Sequence, residues 1–207
     1  MDNNDTLDII VLGHSTYVAY AKHINNSFSF YQVVDETIKN IQEVFTIDLN
    51  EDSYLDLLLI GDYKISWYEN NENQSFSEQR IIYIGDILQN SVFNVADYND
   101  DGYNDIVYTN NYSINIFMNN GNTTFAPPNV LYYGNISSSM IFEDLNNDQR
   151  IDILGVSQYT KKAYYLLNMS DGTFALGVND YVNANQVAAG DVDGDGDKDL
   201  LFYDKDT

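Results

Sequence analysis

Short apolar runs alternate with polar turns along the whole chain. Most runs are four to seven residues long and rich in Ile, Val, Tyr and Phe. Runs of this kind, bounded by Asn, Gly, Ser and Asp, predict β-strands. Clear examples are LLLIG at 57–61, KISWYE at 64–69, QRIIYIG at 79–85, SINIFM at 113–118, NVLYYG at 129–134 and KAYYLL at 162–167. No stretch keeps helical periodicity over a dozen residues, although 35–45 stays ambiguous.

The strands belong to a repeat of about 48 residues. Its marker is an Asp-rich loop followed by an apolar run, and the loops begin at Asp48, Asp97, Asp144 and Asp191, in steps of 49, 47 and 47 residues. A polar turn ending in Phe precedes each loop, and the Phe side chains are expected in the core; they are Phe28, Phe76, Phe125 and Phe174. Four short strands in such a period describe one blade of a β-propeller.

The whole chain is therefore predicted to be one all-β region, a β-propeller built of four-stranded blades. Repeats start near residues 1, 48, 97, 144 and 191, which amounts to about four blades plus part of another. The loop near residue 1 is incomplete, with Asp2, Asn4 and Asp8 at its third, fifth and ninth places. We expect a fragment of a longer propeller. The alternatives are a smaller closed ring or self-association, because open blade edges invite pairing.

Each complete loop carries oxygen-bearing side chains at positions 1, 3, 5 and 9. They are Asp48, Asn50, Asp52 and Asp56; Asp97, Asn99, Asp101 and Asp105; Asp144, Asn146, Asp148 and Asp152; and Asp191, Asp193, Asp195 and Asp199. Such side chains converge on one point in a tight loop, and Ca²⁺ takes six to eight oxygen ligands. Position 7 would add a backbone carbonyl, from Tyr54, Tyr103, Arg150 and Asp197. We predict about four structural Ca²⁺ ions.

Other interpretations of these loops fit less well. An EF-hand needs a bidentate Glu at position 12 and flanking helices, whereas position 12 is occupied by Leu59, Tyr108, Gly155 and Phe202. Mg²⁺ prefers few protein ligands and keeps its waters. Solvated Asp and Asn turns would explain one such loop but not four in register. Position 6 is Gly102 or Gly196 where a sharp turn favours glycine, and Ser53 and Gln149 depart from this pattern.

The loops and turns resemble the FG-GAP/VCBS repeat, the blade unit of integrin-α-like β-propellers. The segments that resemble it most are DVDGDGDKDLLFY from Asp191 and NNGNTTF ending at Phe125. The resemblance covers essentially the whole chain, although the Phe-Gly and Gly-Ala-Pro elements of that repeat are absent. It implies a Ca²⁺ ion in the loop that joins two strands of each blade, and a fold of about seven blades.

Composition narrows the classes of partner and chemistry. The 207 residues include 32 acidic and 9 basic side chains, a formal net charge of −23, and no cysteine. This charge argues against nucleic acid or an anionic membrane surface as a partner, since both need clustered Lys and Arg. Disulfides, thiolate metal sites and cysteine nucleophiles are excluded. No apolar run approaches the length of a membrane span, and no signal peptide is recognisable in the chain.

Catalytic residues are not apparent in the sequence, so we expect a protein that is not an enzyme. The histidines His14 and His23 are interpreted as surface or packing residues, and no spare carboxylate pair has a recognisable spacing. Trp67 and the tyrosines could form a sugar- or protein-binding platform, although most aromatic residues in alternating strands belong to the core. Glycosylation motifs, which leave open whether the chain is a glycoprotein, begin at Asn4, Asn25, Asn73, Asn111, Asn122, Asn135 and Asn168.

The expected function is that of a calcium-binding, non-catalytic interaction or adhesion module outside the cell. Extracellular Ca²⁺ is abundant, so weak sites would be filled there. The partner would be a protein or a glycan at the cell surface. Two alternatives remain: a lectin-like propeller that binds carbohydrate, and an accessory propeller of a larger secreted enzyme.

Overall fold

The fold is all-β throughout the described residues. The computed structural model describes residues 7–13, 17–29, 32–71, 75–85, 87, 91–110, 112–134, 139–157, 159–169, 173–179 and 183–204. In these ranges the chain forms strands, turns and bends without a helix, which confirms the predicted fold class. The ambiguous segment 35–45 is not helical: one strand ends at Asp35 and the next begins at Glu43.

The described part of the chain contains nineteen strands, close to the predicted apolar runs. They are β1 Ile9–Gly13, β2 Tyr17–Ala21, β3 His23–Ile24, β4 Ser27–Phe28, β5 Gln32–Asp35, β6 Glu43–Ile47, β7 Asp56–Gly61, β8 Lys64–Tyr68, β9 Arg80–Ile84, β10 Phe93–Ala96, β11 Asp105–Asn110, β12 Ser113–Phe117, β13 Asn129–Tyr133, β14 Met140–Glu143, β15 Asp152–Val156, β16 Ala163–Asn168, β17 Phe174–Asn179, β18 Gln186–Gly190 and β19 Asp199–Tyr203.

Three sheets are complete four-stranded antiparallel meanders, in which each strand pairs with the next in the chain. Their orders are β6-β7-β8-β9, β10-β11-β12-β13 and β14-β15-β16-β17. A three-stranded sheet, β1-β2-β5, precedes them, and the hairpin β18-β19 follows. Consecutive four-stranded meanders of this kind are propeller blades. We refer below to the three complete sheets as the first, second and third complete blades.

Two compact units divide the chain. One contains residues 1–89 and 121–124, and so carries the β1-β2-β5 sheet and the first complete blade. Its core includes Val18, Leu57, Leu59 and Tyr68. The other contains residues 90–120 and 125–207, and so carries the second and third complete blades and the final hairpin.

The second strand of each complete blade is almost wholly buried. Every residue of β7 and β15 is buried, as are all residues of β11 except the last. A strand covered on both faces needs apolar side chains at successive positions rather than in alternation, which explains the runs LLLI at 57–60 and IVY at 106–108. In the second unit, Val107, Ile116 and Ile153 pack in one cluster drawn from two blades.

The expectation that the four marker phenylalanines lie in the core is only partly met. Phe76 packs against the core of the first unit and Phe174 against that of the second. Phe125 is partly buried. Phe28 is 48% exposed, so the prediction is wrong there. It lies in the two-residue strand β4, where its ring contacts that of His23 with centroids 5.2 Å apart.

Glycine at the end of β7 is required by close backbone packing. A Cβ on Gly61 would lie 2.9 Å from the carbonyl oxygen of Lys39 and 3.0 Å from the Cα of Ile41. We expect Gly61→Ala to lower the free energy of unfolding by about 1–3 kcal/mol, the usual cost of overpacking. Gly190→Ala is the control, because nothing lies within 4 Å of its added Cβ. Urea unfolding that gives equal stabilities for both variants would contradict this packing.

Candidate metal-binding loops

Each Asp-rich loop joins the first and second strands of a sheet. The residue before the loop pairs with the ninth loop residue in all four cases; the pairs are Ile47–Asp56, Ala96–Asp105, Glu143–Asp152 and Gly190–Asp199. The ladder therefore closes a loop of eight residues between paired strand ends. As the sequence predicts, each loop runs directly into a strand.

The carboxylate at position 1 organises the loop around itself. One of its oxygens accepts the backbone N–H of position 6, from Ser53 at 2.8 Å, Gly102 at 2.7 Å, Gln149 at 2.7 Å and Gly196 at 3.1 Å. In the first three loops the other oxygen accepts the N–H of position 5, at 3.1–3.2 Å. At Asp144, slight burial raises the pKa, but the backbone N–H groups outweigh it and hold the pKa below its usual range.

The turn depends on left-handed backbone at positions 4 and 6. At position 6, φ is +72° at Ser53 and +70° at Gln149, close to +92° at Gly102 and +95° at Gly196. Position 4 is also left-handed, and its residues are Glu51, Asp100, Asn147 and Gly194. The loops that lack glycine thus adopt the same turn, with steric strain at a side chain that carries Cβ. The replacement of glycine by Ser53 and Gln149 therefore changes the conformational energy of the loop and not its shape.

The carboxylate at position 9 is a structural clamp as well as a predicted ligand. Asp56, Asp105 and Asp152 are fully buried. One oxygen of each accepts the backbone N–H of position 2, at 2.9–3.1 Å. The other accepts the N–H of a buried asparagine at the end of the third strand; the pairs are Asn70–Asp56 at 2.8 Å, Asn119–Asp105 at 2.8 Å and Asn168–Asp152 at 2.7 Å.

Burial governs the acidity of these clamps. It raises the pKa of Asp56 and of Asp105 from the ordinary value of 3.8 to about 6, although two backbone N–H donors oppose it. It raises the pKa of Asp152 in the same direction. A carboxyl whose pKa is raised in the folded state stabilises folding most at low pH, and this contribution is lost as pH rises from about 4 to about 6. At neutral pH the clamps are therefore buried charges held by hydrogen bonds.

The asparagines that donate to the position 9 aspartates, which we call the clamp asparagines, were not identified from the sequence. They follow the position 9 aspartate by 14, 14 and 16 residues, and that recurrence is the signal that could have found them. Asn70 and Asn119 also donate from Nδ2 to the carbonyl of position 8. Asn168 instead donates at 2.8 Å to the carbonyl of Tyr98, in the neighbouring blade of the same unit.

Positions 3 and 5 differ between the loops. In the fourth loop the carboxylates of Asp191, Asp193 and Asp195 are exposed, and one oxygen from each lies within 4.8 Å of the others. Among the described residues this is the one such group of three His, Cys, Asp or Glu. In the first and second loops position 3 is asparagine, and its Nδ2 donates to the position 5 aspartate at 3.0 Å.

The third loop contains its own cation. The guanidinium of Arg150 forms an ion pair with Asp148 at position 5, and Nε of Arg150 donates at 3.0 Å to the carbonyl of Asn168. The sequence predicts only a carbonyl ligand from this residue. The side chain places a positive charge on one of the predicted ligands, so this loop is the least suited of the four to a second cation.

Several other predicted features are buried or lie outside the described residues. Trp67 is only 1% exposed and is covered by the guanidinium of Arg80, which lies 5.0 Å from the ring centroid, so Trp67 is not part of a surface platform. Asp8 accepts the N–H of His23 at 3.0 Å. The residues outside are His14, Asp2, Asn4, Asn73, Asn111 and Asn135. Among the remaining glycosylation motifs, Asn25 and Asn122 are exposed and Asn168 is buried.

Removal of one clamp should destabilise a blade even without metal. Asp105→Ala leaves the buried N–H groups of Tyr98 and Asn119 without their acceptor, and each such group costs about 1–3 kcal/mol. We expect the free energy of unfolding in EGTA to fall by about 2–4 kcal/mol. Asp193→Ala is the control, since it removes an exposed carboxylate from the same kind of loop. Similar losses in both variants would show that the clamp contributes nothing of its own.

Glycine should relieve the strained position 6. Ser53→Gly and Gln149→Gly are each expected to raise the free energy of unfolding by a few tenths to about 1 kcal/mol, because the left-handed backbone is retained without Cβ. The reverse change Gly102→Ser should lower it by a similar amount. Melting temperatures compared in EGTA test both directions, and a loss of stability in both glycine variants would contradict the common turn.

Comparison with known proteins agrees with this architecture. The FG-GAP-like repeat profile matches three overlapping segments, residues 48–108, 97–155 and 144–202. No curated protein matches the chain. Among the described residues no helix is long and apolar enough to cross a membrane.

The solved structures that share the fold include the following two. One is an Agrocybe aegerita lectin described for specific recognition of non-reducing terminal N-acetylglucosamine, with a TM-score of 0.73 and 19% identity. The match covers 96% of this chain and 57% of the lectin. The other is a chain of the Photorhabdus luminescens Tc holotoxin pore, with a TM-score of 0.52, 16% identity and coverage of 96% of this chain and 11% of that one. The repeat period, the blades and the matched segments together show that the chain belongs to the FG-GAP-like repeat family, with a β-propeller fold.

Proposed function

We propose that this propeller region is a calcium-stabilised, non-catalytic interaction module that works outside the cell. The observation that carries the proposal is the fourth loop, where three exposed carboxylates have oxygens within 4.8 Å of one another. Like charges this close repel, and a hard divalent cation removes the repulsion while satisfying the oxygens. The backbone carbonyl at position 7 and the carboxylate of Asp199 would complete the ligand set.

The remaining loops fit the ion to different degrees. The first and second loops offer carboxylates at positions 1, 5 and 9 with an amide at position 3, a donor set of hard oxygens typical of Ca²⁺. Rotation of the asparagine amide would turn its oxygen inward in place of Nδ2. The third loop has the same donors, but the Arg150 side chain competes for Asp148. Bound Ca²⁺ would stabilise the folded blades by binding them and not the unfolded chain.

For the ligand of this module we propose a glycan, by analogy with the lectin neighbour. The lectin shares the propeller fold across 96% of this chain, and its structure concerns recognition of terminal N-acetylglucosamine. An identity of 19% supports a shared fold alone, so a glycan ligand for this chain is our proposal. A protein ligand at a cell surface and a role as accessory propeller of a larger secreted enzyme are the alternatives. The chain spans only 57% and 11% of the lengths of the two matched structures.

Calcium should raise the melting temperature, and the fourth loop should account for one ion. We expect EGTA to lower the melting temperature by several degrees, the shift that about 1–2 kcal/mol produces in a chain of this size. Elemental analysis after dialysis in millimolar Ca²⁺ should give about one ion fewer for the double variant Asp191→Ala, Asp195→Ala than for the native chain. Asp204→Ala, outside the loops, is the matched control. An unchanged melting curve in EGTA together with no bound calcium would refute the metal role.

A further inference from the structure

An exposed tyrosine recurs at the same place in each complete blade. Tyr63, Tyr112 and Tyr159 lie in the turns between the second and third strands and are 63%, 73% and 85% exposed. Their steps along the chain are 49 and 47 residues, the same as those of the first three Asp-rich loops. Single exposed aromatic residues need no explanation. Three in phase with the repeat indicate a feature that belongs to the blade.

The tyrosine in the turn of the first complete blade has a strained backbone conformation. Asp62 and Tyr63 have φ of +51° and +59°, the left-handed pair that a two-residue hairpin turn requires. Asn-Gly is favoured in such a turn, and a bulky residue with positive φ is strained. Strained residues that persist are found preferentially where a function depends on them. The ring of Tyr63 does not contribute core packing that would offset this strain, since it is mostly exposed.

Hydrogen bonds hold the backbone beneath the rings of Tyr63 and Tyr112. Glycine after the fourth strand donates its N–H to the tyrosine carbonyl in two blades, from Gly85 to Tyr63 at 3.0 Å and from Gly134 to Tyr112 at 2.8 Å. The side-chain oxygen of Asn110 accepts the N–H of Tyr112 at 2.9 Å. Among the described residues, no hydrogen bond to the hydroxyl groups of these tyrosines is found. The rings are thus presented on an anchored backbone, with their hydroxyls available.

The turn of the third complete blade is longer and is closed by hydrogen bonds within the turn itself. The N–H of Lys161 donates to the carbonyl of Ser157 at 2.7 Å, and that of Thr160 donates to the Ser157 hydroxyl at 3.2 Å. Tyr159 lies between these anchor points and is the most exposed of the three rings. Turns of two different lengths therefore each carry an exposed tyrosine.

We propose that Tyr63, Tyr112 and Tyr159 are stacking platforms for uncharged saccharides, one in each complete blade. This inference rests on the proposed glycan binding and names its surface. A tyrosine offers a flat apolar face and a polar tip, which match the apolar C–H face and the hydroxyls of a pyranose ring. Ordering a tyrosine costs little entropy because it has only two side-chain torsions, and the anchored turn lowers that cost further. The net charge of −23 disfavours sialylated or sulfated sugars.

The experiment compares tyrosine variants on immobilised saccharides in the presence of Ca²⁺. The probes are neutral oligosaccharides that end in N-acetylglucosamine, galactose or mannose, and the same oligosaccharides after sialylation or sulfation. We expect the native chain to bind neutral probes. The triple variant Tyr63→Ala, Tyr112→Ala, Tyr159→Ala should bind at least about tenfold more weakly, the loss expected when an aromatic contact is removed from every site. Each single variant should remove one of three sites.

Two controls separate binding from stability. Tyr203→Ala removes a tyrosine that is 58% exposed but lies in β19 and not in a hairpin turn, so it should bind as the native chain does. Tyr63→Gly should raise the melting temperature, because it relieves the left-handed strain, and still lose its site. A gain of stability accompanied by a loss of binding is not expected of a residue whose role is structural.

The outcomes distinguish the two proposals. If native protein binds neutral probes and the triple variant binds them equally well, the tyrosine platforms are refuted and glycan binding stands. If only sialylated or sulfated probes bind, the proposed ligand class is refuted. If no probe binds, the platforms and the glycan function are both refuted, whereas the calcium role is judged separately by its own melting and metal measurements.

Discussion

The blades depend on one buried carboxylate that binds two main-chain N–H groups. In each complete blade the position 9 aspartate accepts one N–H from the loop and one from the end of the third strand. It thereby connects the start of the second strand, the Asp-rich loop and the third strand in a single contact. An ionised or protonated carboxyl in an apolar interior is tolerable only when its oxygens are satisfied in this way. The apolar second strand can then be buried on both faces.

The same residue would link stability to the proposed metal binding. Position 9 serves the blade through its hydrogen bonds, and the rest of the loop brings further carboxylates to the same region. Burial disfavours the ionised form of the clamp and raises its pKa to about 6 in two blades. A divalent cation beside it would favour the ionised form and offset the repulsion from positions 1 and 5. In the third loop, Arg150 supplies part of that positive charge from the chain itself.

The fold could be predicted because the sequence repeats, whereas the environments of several single residues could not. Period, strand positions and loop boundaries were predictable because apolar runs and turn residues recur in phase, and the family and fold are confirmed. The metal ligands remain a prediction. The clamp asparagines escaped notice because a buried asparagine and a turn asparagine are the same letter in an Asn-rich chain. Phe28 was wrongly assigned to the core because the local sequence pattern does not reveal which neighbours cover a side chain. The hairpin tyrosines could have been found from their spacing.

The clamp aspartate binds main-chain N–H groups and not side chains, so it does not restrict which side chains its partners carry. Position 2, whose N–H it binds, is occupied by Leu49, Tyr98 and Leu145 in the complete blades, and by Val192 in the final hairpin, where Asp199 accepts the same bond. Any amino acid except proline carries that N–H. Mutational drift at this position is therefore almost unconstrained by the clamp, while the aspartate is held fixed. Tandem blades held in this way can therefore diverge in side-chain sequence, from one another and from distant propellers, and still keep a common backbone.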